Sequence, residues 1–356
     1  MKKKELFSKL SKPGVDVKKI LHITHKDADG YMPVALLTAM FKDAEITRTH
    51  VGYQVHDIEK VNAYLTNEDA WQEFGFVFVT DMHISCEAAE YIVRNGHDRQ
   101  IVMLDHHEKA LPLNAYSFCC VSMTAPEDSF LYAWKAGRRC DESLDAARKS
   151  AGTSLLVDYL DTKFPEQRDR INGLRGYAEL VSGYDTWDWV NLFNREPVYN
   201  TLNKFFWAVK GDAFVDKMCR QIGAGEPEEL FTGDELEAIR KRDEEAAEYA
   251  NSIIKYCAVV DCLLMGVNRK VAFVMANSYL QEVFTAMMNT YEAEVYVIMK
   301  ENGLSLRTLN KELNLNTLAQ CYGGGGHPGA AGIPLGTKVM ESIARCIFMG
   351  KEGENE

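Results

Sequence analysis

The chain has 356 residues, 46% of them apolar, and a net charge of −12 at neutral pH. That length supports two globular domains, each with its own core, and the acidic balance disfavours a broad surface for long duplex DNA, whose binding requires many phosphates to be neutralised by Lys and Arg. No apolar stretch approaches the ~20 residues needed to cross a bilayer, and the basic start "MKKKELFSKLSKPG" lacks a following apolar signal core, so a cytoplasmic protein without membrane contact is expected.

In chain order, "KKILHIT" (18 to 24) reads as a strand, "YMPVALLTAMFK" (31 to 42) as a helix, "EITRTHVGY" (45 to 53) as a strand and "DIEKVNAYL" (57 to 65) as a helix. "FGFVFVTDM" (74 to 82) is a strand, "SCEAAEYIVRNG" (85 to 96) a helix ended by Gly96, and "RQIVMLD" (99 to 105) a strand. Strands alternating with helices imply βαβ units, hence a parallel sheet with helices on its faces. Helical patterns dominate from about 127 to 182. A charged segment with apolar residues at helical spacing follows over 211–255, and interleaved opposite charges favour a solvated helical connector. Beyond it, "YCAVVDCLLMG", "RKVAFVMANS" and "AEVYVIMKENGLSLRTLN" read as strands of a smaller domain, with "SYLQEVFTAMMNTY" a helix. The fold class is therefore α/β: a parallel-sheet domain over 1–210, a helical linker over 211–255 and a smaller α/β domain over 256–350. The nine cysteines are odd in number and include no C-x-x-C pair, so reduced thiols are expected rather than a zinc or disulfide framework.

The ionisable residues fall at strand ends. His25, Asp27 and Asp29 follow the first strand, Asp81 ends the third, and Asp105, His106 and His107 end the fourth. Carboxyl ends of an open parallel sheet are where ligand crevices form. Any one of these acids alone reads as a helix N-cap. Together they would repel one another and raise their own pKa values unless cations hold them. Mixed carboxylate and imidazole donors suit Mn²⁺, with Mg²⁺, Co²⁺ and Zn²⁺ as poorer occupants. In "VSGYDTWDWVN", Asp185 sits within an aromatic wall and needs a partner, which a metal would supply, while Asp188 is expected to cap or orient. Trp187 and Trp189 are expected to pack in the core rather than to form a base-stacking platform. In the smaller domain, "CYGGGGHPGAAG" (321 to 332) could bring N–H groups against a phosphate or allow a close backbone approach, and Arg307 could take a phosphate bidentately or form a surface ion pair.

"HKDADG", the Asp of "VTDMHIS", "LDHH" and the Asp of "GYDTWDW" resemble the four ordered motifs of the DHH phosphoesterase superfamily, and "SLRTLN" with "GGGGHPGAAG" resembles its DHHA1 companion domain. The resemblance spans about residues 20 to 335 and is greatest to the small bacterial type that acts on short oligonucleotides and bisphosphonucleosides. It implies two Mn²⁺ ions per active site, with Mg²⁺ or Co²⁺ as substitutes. His25, Asp27 and Asp81 would hold one ion, and Asp29, Asp81, His106 and Asp185 would surround the other. His107 would face the scissile phosphate and Asp105 would orient the neighbouring histidine. Arg307, Gly324, Gly325, Gly326 and His327 would hold a terminal phosphate or base. His83, where relatives commonly have a small or apolar residue, is expected to stand outside the ligand set. The implied reaction is metal-assisted phosphodiester hydrolysis of a short oligonucleotide or small nucleotide. A cyclic-dinucleotide phosphodiesterase and a non-catalytic nucleotide-binding regulator are the alternatives, and a homodimer is compatible with these elements.

Overall fold

The computed structural model describes residues 1–14, 16–52, 55–133, 147–193, 195–225, 229–336 and 341, with the side chains of Val55, Ala133 and His327 outside that set. The chain divides into two compact units, Met1–Ile239 and Arg240–Glu356.

In the first unit, β1 (Lys19–His25), β2 (Glu45–Val51), β3 (Phe76–Thr80), β4 (Ile101–Asp105) and β5 (Cys119–Val121) form one sheet in the order β2-β1-β3-β4-β5. Every pairing is parallel. β5 has three residues, too few for an apolar run to show in the sequence. β3 and β4 are buried at every position because helices cover both faces. The period-two alternation of a strand then divides their side chains between two cores. Phe76, Phe78, Val102 and Leu104 join the helices Ala28–Met40, Gly152–Lys163 and Arg175–Asp185 on one face. Val77, Val79, Ile101 and Met103 meet Ile92 and Leu113 on the other.

The helix Ala28–Met40 starts three residues before the stretch expected from its apolar pattern, because Asp27 caps it: the Asp27 side chain accepts the Gly30 N–H. It contains Pro33, which has no N–H to offer the Asp29 carbonyl one turn back. The Thr153 hydroxyl donates to that carbonyl instead, at 3.0 Å.

The second unit holds a six-stranded mixed sheet in the order β10-β11-β9-β8-β7-β6. Its strands are β6 (Ala258–Leu264), β7 (Val267–Met275), β8 (Val295–Lys300), β9 (Gly303–Arg307), β10 (Gly325–His327) and β11 (Ala330–Pro334). Only β7 and β8 pair in parallel, across the helix Leu280–Thr290, and the other neighbours are antiparallel. The stretch "AEVYVIMKENGLSLRTLN", expected as strand, folds as the β8–β9 hairpin. The glycine run is mostly turn and edge strand. A Cβ on Gly324 would stand 2.0 Å from the Gly332 carbonyl oxygen, and Gly326 holds φ +145. Gly324 therefore serves close strand approach, and Gly324→Ala should lower the stability of this unit by about 1–3 kcal/mol. Gly233→Ala, where a Cβ meets open space, should stay within about 0.5 kcal/mol. Urea unfolding of both variants checks the contrast.

Candidate metal centre

The strand order reverses between β1 and β3, the place where ligands bind at the carboxyl ends of an open parallel sheet. His25 is the last residue of β1. Its Nδ1 lies 2.7 Å from Asp27 Oδ2 and 3.8 Å from Asp81 Oδ2. Gly30 permits this turn, since a Cβ there would come within 2.0 Å of the His25 carbonyl oxygen. Asp81 follows β3 directly with φ 55, a left-handed conformation, and its N–H donates to the Leu104 carbonyl at 3.0 Å. Aspartate tolerates that region better than most residues. Asp105 closes β4, where its Oδ1 accepts the His106 N–H at 2.8 Å and faces His107 Nδ1 at 2.7 Å.

Two further elements complete the cluster. Asp185 ends the helix Arg175–Asp185, and its Oδ2 lies 3.4 Å from His106 Nε2, which in turn lies 3.2 Å from Asp81 Oδ1. Asp29 receives the amino end of the helix Gly152–Lys163: Gly152 N–H donates to Oδ2 at 2.7 Å and Thr153 N–H to Oδ1 at 2.9 Å. The positive end of the helix dipole thus faces a buried acid. A side chain at Gly152 would collide with Asp81, its Cβ standing 2.6 Å from the Asp81 Cβ. Neither Gly152 nor Thr153 carries a sequence signal for this role, because the partner lies 123 and 124 residues away.

All six residues expected as metal ligands are brought together, along with Asp105 and His107. Their donor atoms form three sets, each within 4.8 Å: His25, Asp27 and Asp81; Asp29, His106 and Asp185; and Asp81, Asp105, His106 and His107. Asp81 and His106 each belong to two sets. The third set was not anticipated, since Asp105 and His107 were read as orienting and substrate-facing groups.

Electrostatics divides the five aspartates. Burial, then repulsion from Asp27, Asp29, Asp185 and Asp105, pushes the Asp81 carboxyl well above its ordinary range. Asp185 is pushed up in the same sense by burial and by Asp29 and Asp27, although 26% of its side chain reaches solvent. Asp29 is raised chiefly by burial, against the opposing charge of His106. Burial would also raise Asp27, but the charge and hydrogen bond of His25 bring it down to about 2. Asp105 is likewise buried, yet His107, through charge and hydrogen bond, and His83 hold it well below the usual carboxylate range. Three acids therefore stay short of positive charge in a set of oxygen and imidazole donors, which fits divalent cations.

The remaining expected residues have separate fates. His83 Nδ1 lies 3.5 Å from Asp105 Oδ2, behind the donor sets. Asp188 is buried and pairs with Arg148 Nε at 3.0 Å, while Arg148 also bonds Glu179 at 3.1 Å and the Leu131 carbonyl at 3.0 Å. Trp187, expected in the core, is 45% exposed with φ 61. The left-handed backbone carries it past the end of the helix and away from the interior. Such a conformation costs a bulky residue about 1–3 kcal/mol. In the second unit, Arg307 ends β9, where its Nη1 bonds the Leu306 carbonyl at 3.0 Å and its guanidinium lies 5.0 Å from the Phe284 ring. Gly325 and Gly326 lie on β10, with Gly324 immediately before it. The His327 side chain lies outside the described residues.

A family model described as the DHHA1 domain matches residues 263–345. The oligoribonuclease NrnB of Bacillus subtilis strain 168 is 26% identical over 332 residues, which cover 91% of this chain and 75% of that protein. Among solved structures, a manganese-bound RecJ exonuclease aligns with a TM-score of 0.49 and 13% identity over 96% of this chain and 92% of its own. A pGpG-specific phosphodiesterase, PggH from Vibrio cholerae, aligns with a TM-score of 0.44 and 10% identity over 92% of this chain and 97% of its own.

Two outcomes follow from the cluster. A raised carboxyl still binds its proton at a pH where a free aspartate has lost it, so a cation must displace that proton from Asp29, Asp81 or Asp185. The rise in melting temperature on adding Mn²⁺ should therefore be larger at pH 8 than at pH 6, and a pH-independent rise would contradict this arrangement. Gly152→Ala should abolish most of the Mn²⁺-dependent rise, as read by calorimetry with and without the ion, because its methyl group displaces Asp81.

Proposed function

We propose that this chain, which carries a DHHA1 domain after a parallel-sheet domain with converging Asp and His donors, is a metal-dependent phosphodiesterase that hydrolyses short oligonucleotides. The observation that carries the reading is the linked series of donor sets: Asp81 is common to the His25–Asp27 set and the Asp105–His106–His107 set, and His106 joins the latter to Asp29 and Asp185. His25, Asp27 and Asp81 would hold one Mn²⁺, and Asp29, Asp81, His106 and Asp185 the second. The likeness to an oligoribonuclease over most of the chain supports the same reaction class. The net charge of −12 supports short substrates, since a long strand needs an electrostatic track beyond the site.

Cations bound there would supply Lewis-acid polarisation of a phosphoryl oxygen and acidify a water. The rest of the chemistry belongs to the chain. Asp105, ionised and 2.7 Å from His107 Nδ1, accepts that nitrogen's N–H and fixes the ring; a ring protonated on both nitrogens would then donate Nε2–H to a phosphoryl oxygen. His83 Nδ1 lies 3.5 Å from the other Asp105 oxygen. The amides of Gly152 and Thr153 hold Asp29 in one orientation, so that its donor position is set before substrate arrives. In the second unit, Arg307 and the segment Gly324, Gly325, Gly326 and His327 would recognise a phosphate or base.

The test is Mn²⁺-supplemented hydrolysis of a length series from dinucleotides to 20-mers, with bisphosphonucleosides and cyclic dinucleotides alongside. Rates should be highest at two to about five nucleotides and vanish with chelator. Asp81→Ala and His106→Ala should each lose at least about 100-fold in kcat, ~2.7 kcal/mol of barrier, while His83→Ala stays within about tenfold. Full activity in excess chelator, or preference for cyclic substrates, would overturn the reading.

A further inference from the structure

Trp187 stands two residues beyond Asp185, in the turn that carries the chain from the helix Arg175–Asp185 to the short helix Asp188–Asn191. Its backbone is left-handed, φ 61 and ψ 14, and nearly half of the residue remains in solvent. Glycine or asparagine would meet the same backbone demand without exposing an indole. Neither backbone preference nor burial therefore accounts for tryptophan at this place.

The turn is nonetheless held firmly. The Trp187 N–H donates to the Tyr184 carbonyl at 3.1 Å, and its own carbonyl accepts the N–H groups of Val190 and Asn191 at 3.0 Å each. The next residue, Asp188, is fixed by Arg148 and by the Lys149 N–H at 3.1 Å. Lys149 Nζ donates to the Thr186 carbonyl at 3.3 Å, which places a cation on the same turn. The indole itself extends an aromatic stack: Trp187 and Trp189 centroids are 6.2 Å apart with 25° between planes, and Trp189 lies 5.7 Å from Tyr184 at 16°. Packing thus stiffens an exposed π surface. Successive Cα atoms are 3.8 Å apart, so the Trp187 Cα lies within ~7.6 Å of that of Asp185, one of the expected ligands.

We infer that Trp187 is a base-stacking residue, taking the face of the nucleobase attached to the ester that is cut. The inference rests on the phosphodiesterase reading above and adds what that site recognises beside the phosphate. Stacking requires only a π face, so purines and pyrimidines are both accepted. A pre-set indole also explains why the turn keeps its unfavourable backbone: a side chain already immobilised loses little freedom when a base arrives.

The experiment compares a dinucleotide with its analogue lacking one base, for the parent, Trp187→Ala and Trp187→Phe enzymes at fixed Mn²⁺ and salt. In the parent, deleting the stacked base should lower kcat/KM tenfold or more, mostly through KM. In Trp187→Ala that penalty should shrink to within about twofold, and in Trp187→Phe most of it should return. Equal penalties in parent and Trp187→Ala would overturn the inference while leaving the phosphodiesterase reading intact. If the parent hydrolyses neither substrate, that reading fails, and tryptophan emission decides the stacking role. Quenching by the dinucleotide that is lost in Trp187→Phe supports it, and identical quenching in the two proteins rejects it.

Discussion

Mutual repulsion among five aspartates gathered at one sheet edge is the condition that the first unit is built to meet. Two of them, Asp27 and Asp105, are answered by histidines at hydrogen-bonding distance and fall below the ordinary carboxylate range. Asp29 is answered by the amino end of a helix. Asp81 and Asp185 are left with the largest excess of negative charge. The fold thus distributes compensation unevenly and concentrates what is missing at the two acids that flank His106 Nε2. Neutral packing would have been the more stable choice for a structural core.

The buried network around Arg148 serves the same end from a distance. Arg148 ties Asp188 to Glu179, and Tyr199 donates its hydroxyl to Glu179 at 2.7 Å. It thereby joins the turn after Asp185 to the strand-like segment that leads into Gly152. One guanidinium thus bonds both Glu179, on the helix that ends at Asp185, and Asp188, three residues after it. Asp188 earns its aspartate as that guanidinium's partner and not as a metal donor.

The positions of the acids were legible because a strand buried on both faces reads as an apolar run, and polar residues at its end stand out. That is why the sequence alone assigns His25, Asp81 and Asp105 to a sheet edge. What remained hidden depends on partners far along the chain. Gly152 looks like an ordinary helix start, and its need for a bare α-carbon appears only when Asp81 lies beside it. Arg148 has no motif, and the three-residue β5 is too short to register. Trp187 was misplaced because size and hydrophobicity favour burial, whereas a left-handed backbone turned it outward. In the second unit, the glycine run looked like a phosphate cradle or a close approach, and strand approach is what Gly324 demonstrably requires.

The bond between the Thr153 hydroxyl and the Asp29 carbonyl, left open by Pro33, also bears on the order in which the protein matures. Its ends are 124 residues apart, and closing a loop of that size is slow compared with forming either helix. During synthesis the first helix emerges with an acid that has no helix end to face and a carbonyl that has no donor. Only after the segment beginning at Gly152 leaves the ribosome can both be satisfied together. A nascent chain interrupted before Gly152 therefore carries four of the five acids, with Asp185 still to come and no helix end for Asp29 to face.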